Sequence, residues 1–308
     1  MKILITGQNG FIGKALFDLL KQQGHQVRGT VRNENKIEEG LDVIAVGDIG
    51  STTDWSTALK GIKTVIHLAN RAHVLNDQAT DPLTIFRGVN VAGTIQLAKQ
   101  ALESKVKRFI FISSIKVNGE KTDKQSFSAE DKPNPQDPYA ISKLEAENAL
   151  REIARHSSME IVIIRPPLVY GQGVKGNFKR LSRLVELGIP LPFASIKNKR
   201  SLISLENLVQ LLSKAIIDPT VANQTLLVSD KEDLSTPQLI KKIAASIGKP
   251  ARLFHFPPTL LKIMGKLTGQ GNAIERLIGN LQIDGISHLG SDPKSTKSSK
   301  HNGKKTKI

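Results

Sequence analysis

The chain has 308 residues with 44 Lys and Arg against 28 Asp and Glu, a formal net charge of +16, and no cysteine. That length suits a nucleotide-binding domain with a smaller lobe, and the missing cysteines exclude disulfides, thiolate catalysis and Cys-type zinc sites. With two tyrosines and one tryptophan, base-stacking platforms are poorly supplied, so the positive charge points to an anionic metabolite rather than to nucleic acid.

Lys2–Thr6 is a short apolar run that ends at a glycine, as a buried parallel strand does. Helical periodicity follows over residues 11–23. Further strands are expected at 26–31, 42–46, 64–68, 108–113 and 161–165. Long helices are expected over 83–104 and 138–156. Strands that alternate with helices predict an α/β chain, a Rossmann-type doubly wound parallel sheet with right-handed crossovers.

After Arg165-Pro166-Pro167 the rhythm loosens into Pro- and Gly-rich, strand-poor sequence. The expected division is a dinucleotide-binding domain over residues 1–166, rejoined by about 200–230, where 225–228 reads as a returning strand. A smaller C-terminal substrate lobe takes 167–199 and 231–290. Residues 291–308 carry six lysines against Asp292, about +5 in net charge, and read as a disordered basic tail. That tail leaves open a tethering role toward RNA, a membrane or a partner. The short N-terminal apolar run and the absence of a long apolar stretch predict a cytoplasmic chain without a membrane span.

Three motifs carry chemistry. Thr6-Gly7-Gln8-Asn9-Gly10-Phe11-Ile12-Gly13 lies between the first strand and the first helix. There, glycines permit a tight turn and close approach of a pyrophosphate to the helix N-terminus. Tyr139 and Lys143 stand four residues apart on one helix face, where an ammonium lowers the pKa of a phenol and prepares it for proton transfer. Ser114 lies at the C-terminal end of the fifth strand, where open α/β sheets place their sites.

Together these motifs resemble the extended short-chain dehydrogenase family. The resemblance makes Ser114, Tyr139 and Lys143 the catalytic set. It assigns Asn90 to support of the lysine through backbone and water, and Gly7, Gly10, Phe11, Ile12, Gly13, Asp48, Ile49, Leu68, Ala69 and Pro166 to the coenzyme, beside Tyr139 and Lys143. Gly47-Asp48-Ile49 and Arg165-Pro166-Pro167-Leu168-Val169-Tyr170-Gly171 match the adenine-contacting Asp and the nicotinamide-bordering loop of extended members.

Such members mostly act on nucleotide sugars, which implies a UDP-sugar substrate and no metal. The corresponding positions are Asn177, Phe193, Arg200 and Arg276, with Lys116 beside the catalytic serine. Ile115 and Lys116 stand where dehydratases carry an Asp-Glu pair, so dehydration is not expected. The second strand ends in Val31-Arg32 instead of the acid that bonds a ribose hydroxyl. This favours NADP(H) over NAD(H), with stacking on adenine the alternative role for Arg32. The stretches Phe111–Glu120 and Asn177–Ser201 resemble bacterial 4-keto-sugar reductases of surface-polysaccharide synthesis, acting on UDP-4-keto-6-deoxy-N-acetylhexosamines.

The leading expectation is therefore 4-keto reduction of a UDP-linked 6-deoxy-N-acetylhexosamine. A UDP-hexose 4-epimerase with tightly bound NAD is the alternative, and a non-catalytic sensor or scaffold is the alternative of another class. Family members often form homodimers through the helix of Tyr139 and the one before it. Past Leu289-Gly290 the chain departs from the family, which usually continues with a Trp and a final amphipathic helix.

Overall fold

The computed structural model describes residues 1–72, 81–174, 176–287 and 289. Its frame is a seven-stranded, wholly parallel sheet in the order β3-β2-β1-β4-β5-β6-β9. The strands are β1 Lys2–Thr6, β2 Gln26–Val31, β3 Val43–Ala45, β4 Thr64–His67, β5 Arg108–Ile112, β6 Glu160–Arg165 and β9 Thr225–Leu227. The order reverses between β1 and β4, the switch point at which open α/β sheets bind ligands.

Helices cover both faces. α1 (Phe11–Gln22) and α7 (Leu205–Ala215) lie on one. α2 (Ser56–Leu59), α4 (Gly93–Glu103) and α5 (Pro138–Arg155) lie on the other. β1 is apolar on both sides for this reason: Ile3 and Ile5 share one cluster with Leu16, Leu20, Leu208 and Leu212, while Leu4 shares the other with Leu97 and Leu59.

The helix expected over 83–104 is not uniform. It runs as α3 (Pro82–Phe86), a π-helical stretch Arg87–Ala92, then α4. The wider turn carries Asn90, whose side chain points into the protein. No sequence signal distinguishes that turn from ordinary helix.

A second sheet, read from the sequence as strand-poor, has three strands in the order β10-β8-β7. β7 is Leu168–Tyr170, β8 Arg200–Ser204 and β10 Asp233–Leu234. Residues 200–230 therefore divide: β8 belongs to this small sheet, whereas α7 packs on α1 and β9 joins the main sheet. The other helices are α6 (Asn177–Glu186), α8 (Thr236–Ser246), α9 (Pro258–Leu267) and α10 (Gly271–Ile278). They enclose a separate apolar cluster that includes Phe178, Leu181, Leu191, Phe193, Ile240 and Leu261. The basic tail 291–308 lies outside the described residues.

α5 is fixed by polar burial as well as by packing. Asp137 caps it, accepting from the Ala140 N–H at 2.8 Å, and Pro138 occupies its first turn. Deeper, the fully buried Glu147 accepts from Arg165 Nε and Nη2 of β6 at 2.9 and 2.6 Å. It also accepts from Ser113 Oγ at 2.5 Å and Arg151 Nη2 at 2.9 Å. Arg165 in turn reaches Asn118 Oδ1 at 2.9 Å.

Removing one member of such a pair leaves a charge buried without its counter-charge. Glu147→Ala is expected to lose about 3–5 kcal/mol of unfolding free energy in urea titration. Arg165→Met in the same background should recover part of that loss, because the orphaned guanidinium is gone.

Candidate active site

The glycine loop follows β1 directly. Gly7 has φ +69°, and a Cβ there would stand 3.0 Å from the Ala69 backbone. At Gly13 a Cβ would sit 2.2 Å from the Gly7 carbonyl oxygen. The Gly10 N–H closes the turn on that same oxygen at 2.9 Å. α1 then begins at Phe11 with no side-chain cap, so its N-terminal dipole faces the loop unobstructed by a side chain. A cradle that only glycine fits, at the open end of a helix, suits the pyrophosphate of a dinucleotide. The Gly7, Gly10, Phe11, Ile12 and Gly13 stretch is continuous there with Leu68 and Ala69. Both of those backbone N–H groups donate to Thr6 Oγ1 at 3.1 Å.

Below the loop runs a buried hydrogen-bond chain that the sequence did not reveal. Thr94 Oγ1 donates to the Asn90 carbonyl at 2.7 Å, so it accepts from His67 Nε2 at 3.0 Å; His67 Nδ1 then accepts from Thr6 Oγ1 at 2.7 Å. This assignment needs a neutral imidazole, in keeping with burial that pushes the His67 pKa down to about 3. Asn90 accepts from the Arg71 N–H at 2.8 Å and donates to Ser142 Oγ at 3.0 Å. Its side chain thus holds the loop after β4 against α5. Asn90, expected to support Lys143, bonds through its side chain to Ser142, the residue that precedes the lysine.

Ser114 lies two residues past the end of β5 and caps the 3-10 turn 115–117, its hydroxyl accepting from the Lys116 N–H at 3.3 Å. Pro166, after β6, ties the two loops together by accepting from the Ile115 N–H at 3.0 Å. Tyr139 sits in the first turn of α5 with its ring edge-on to Phe86, centroids 6.0 Å apart. Lys143 is buried one turn later. Its Nζ donates to the Ile112 carbonyl at 2.8 Å, lies 4.4 Å from the Phe111 ring centroid and 6.0 Å from that of Tyr139.

The protonation balance is the reverse of the sequence expectation. Desolvation, with Asp137 adding to it, pushes the Tyr139 phenol above its ordinary value. Burial pushes Lys143 down to about 7 against the opposing pull of Glu147. The i, i+4 spacing predicted the pairing but not the dry surroundings that outweigh it.

The expected substrate residues fall in two places. Lys116, Arg200 and Arg276 come together at the entrance to α5. Lys116 Nζ pairs with Asp137 and lies 3.1 Å from Glu120; Arg276 reaches Glu120 at 3.2 Å and Asp137 at 3.9 Å. Arg200 donates to the Gly279 carbonyl at 3.1 Å, and its pKa is lowered to about 10 by burial and by Arg276, with Glu120 opposing. Three cations against two carboxylates leave the cluster positive, which suits a diphosphate. Asp137 and Glu120 escaped the sequence reading, although Asp137-Pro138 carries an N-cap signature. Phe193, by contrast, packs inside the apolar cluster of the C-terminal lobe. Asn177 opens α6, and its side chain lies outside the described residues.

At the sheet's other rim, Arg32 pairs with Asp48 at 2.9 Å, both exposed, while Val31 is buried in the core. A guanidinium already matched by a carboxylate is a weaker anchor for a 2′-phosphate than the isolated Arg32 read from sequence. Ile49 lies over Gly93, where a Cβ would be 2.4 Å from its Cγ2. Among the described residues no group of three or more His, Asp or Glu side chains is placed to hold a metal, and no helix is long and apolar enough to cross a membrane.

Residues 3–225 match the sequence profile of the NAD dependent epimerase/dehydratase family. A Vibrio cholerae UDP-glucose 4-epimerase is 49% identical over 301 residues, covering 96% of this chain and 91% of that protein. A 4-epimerase of N-acetyl-alpha-D-glucosaminyl-diphospho-ditrans,octacis-undecaprenol from Escherichia coli O157:H7 is 27% identical over 88% of this chain and 82% of its own length. Among solved structures, the Bacillus cereus UDP-glucuronic acid 4-epimerase in complex with NAD superposes with TM-score 0.71 at 26% identity, covering 83% of this chain and 88% of that one.

Two measurements probe this geometry. Gly13→Ala places a methyl against the Gly7 carbonyl and is expected to abolish retention of coenzyme, read as loss of bound nicotinamide after gel filtration with far-UV circular dichroism unchanged. Lys143 binds its proton more weakly folded, with a pKa of about 7, than unfolded. The unfolded chain therefore carries the extra proton between about pH 7 and the ordinary lysine value, and stability from this group rises with pH across that window. In coenzyme-free protein Lys143→Met should flatten the rise in melting temperature from pH 7 to about 9.5.

Proposed function

The chain belongs to the NAD dependent epimerase/dehydratase family, and from that premise we propose that it is a UDP-hexose 4-epimerase working with tightly held NAD. The observation that carries this reading is the extent of the likeness to the Vibrio cholerae enzyme, which runs through the C-terminal lobe as well as the nucleotide-binding half. Fold alone is shared by many activities; likeness in the lobe bearing Arg200 and Arg276 bears on substrate.

The chemistry asked of the chain's own residues is proton management and positioning. Bound coenzyme supplies the hydride acceptor and then the hydride donor. Tyr139 exchanges the proton of the C4 oxygen, taking it as the hydroxyl is oxidised and returning it as the ketone is reduced. Ser114 donates a hydrogen bond to that oxygen. Lys143 spends one N–H on the Ile112 carbonyl and, when protonated, stabilises the Tyr139 phenolate. Lys116, Arg200 and Arg276 hold the diphosphate, so that the sugar turns its other face while the nucleotide stays anchored. No proton or hydride is lost over the cycle.

The reductase reading is favoured by Val31-Arg32 at the end of β2, which lacks the ribose-binding acid, and by the resting Tyr139 phenol, which is the donor form. The Arg32–Asp48 pair weakens its coenzyme argument.

The test incubates purified protein with UDP-glucose and no added coenzyme, beside UDP-4-keto-6-deoxy-GlcNAc with NADPH or NADH. The proposal expects UDP-galactose to form and NAD to be released on denaturation. Stoichiometric NADPH oxidation with the keto-sugar, and no hexose interconversion, would replace it with the reductase reading. Tyr139→Phe should lower kcat by about 10²–10⁴-fold while NAD stays bound.

A further inference from the structure

α9 has an unusual division of faces. Leu261 and Gly265 are buried, with Gly265 against Ile274 of α10. Leu260, Ile263, Met264 and Leu267 are exposed, Ile263 at 54% and Leu267 at 82%. At 3.6 residues per turn these four side chains share one arc of about 100°. An outward stripe of four large aliphatic side chains on a short helix is not scattered surface apolarity. Phe254, just before the helix, is exposed as well.

The sequence leading into and through α9 is basic, although Lys242 pairs with Glu232 and Glu275 follows on α10. From residue 234 to 274 the sequence contains no Asp or Glu, but it carries Lys241, Lys242, Lys249, Arg252, Lys262 and Lys266. Lys262 and Lys266 are exposed on α9 itself, both along one side of the stripe. A second copy packed antiparallel on the stripe would bring these like charges together. Residues 291–308 offer no cover either, since Ile308 is their one aliphatic side chain and lysines dominate them.

We propose that α9 lies on an anionic phospholipid surface, with Leu260, Ile263, Met264 and Leu267 in the headgroup–acyl boundary and Lys262 and Lys266 on the lipid phosphates. Ten residues are too few to span a bilayer, so the helix lies in the interface plane. One short stripe binds weakly alone. The net charge of +16 adds the electrostatic attraction that interfacial helices require. The protein thereby works beside a membrane.

The test is flotation of the full chain with vesicles of phosphatidylcholine alone, or with about one-third phosphatidylglycerol, at about 0.1 M salt. Wild-type protein should float with the anionic vesicles only. The double variant Ile263→Ser and Leu267→Ser, which keeps the charge, should reduce the bound fraction at least about tenfold. Unchanged sugar-nucleotide turnover would show that the variant is folded. Equal binding by variant and wild type would overturn the proposal, since charge elsewhere then holds the lipid. Failure of wild type to bind would also overturn it, and a dimer that the double variant dissociates would identify a second copy as the occupant.

Discussion

The buried carboxylate of Glu147 is the constraint around which the site is arranged. It has no water to solvate it, so it gathers donors from β5, β6 and its own helix: Ser113, Arg165 and Arg151. The bonds to Ser113 and Arg165 fix α5 in rotation and translation against the sheet. Tyr139 and Lys143, two turns and one turn earlier on that helix, inherit the placement. A purely apolar contact would permit sliding; a carboxylate in a directional cage does not.

A second polar chain does the same for the coenzyme side. Thr6, His67, Thr94, Asn90 and Ser142 link the glycine loop, β4, the π-helical turn and α5 through buried hydrogen bonds. The loop that would hold pyrophosphate and the helix that carries the proton-transfer group are thus two ends of one satisfied network. The π turn follows from this: an extra residue in the turn brings Asn90 inward to serve both Arg71 and Ser142.

Charge is distributed in layers. Dry surroundings keep His67 neutral, raise the Tyr139 phenol and pull Lys143 toward neutrality. At the cleft mouth Lys116, Arg200 and Arg276 outnumber Glu120 and Asp137. Asp137 belongs to both layers, since one oxygen caps α5 while the other takes Lys116 and faces Arg276. Binding of an anion at the mouth and placement of the helix that bears Tyr139 are therefore coupled through one carboxylate.

Much of this was legible in the sequence because its signals are local. The glycine spacing, the run of buried strands and the Tyr139–Lys143 interval each follow from backbone geometry within one element, and the main sheet forms where those patterns lie. The second sheet was missed because β7, β8 and β10 lie in Pro- and Gly-rich sequence without the strand–helix alternation that marks the main sheet. The balance of protonation was missed because desolvation depends on what surrounds a side chain, not on its sequence neighbours. Residue identity and spacing set which chemical groups exist and which elements carry them. That Glu147 and Arg165 share a dry cage, that Arg32 is matched by Asp48, and that Lys116, Arg200 and Arg276 converge follows from packing in three dimensions, because electrostatic energies are set by distance and solvent access, which the fold alone supplies.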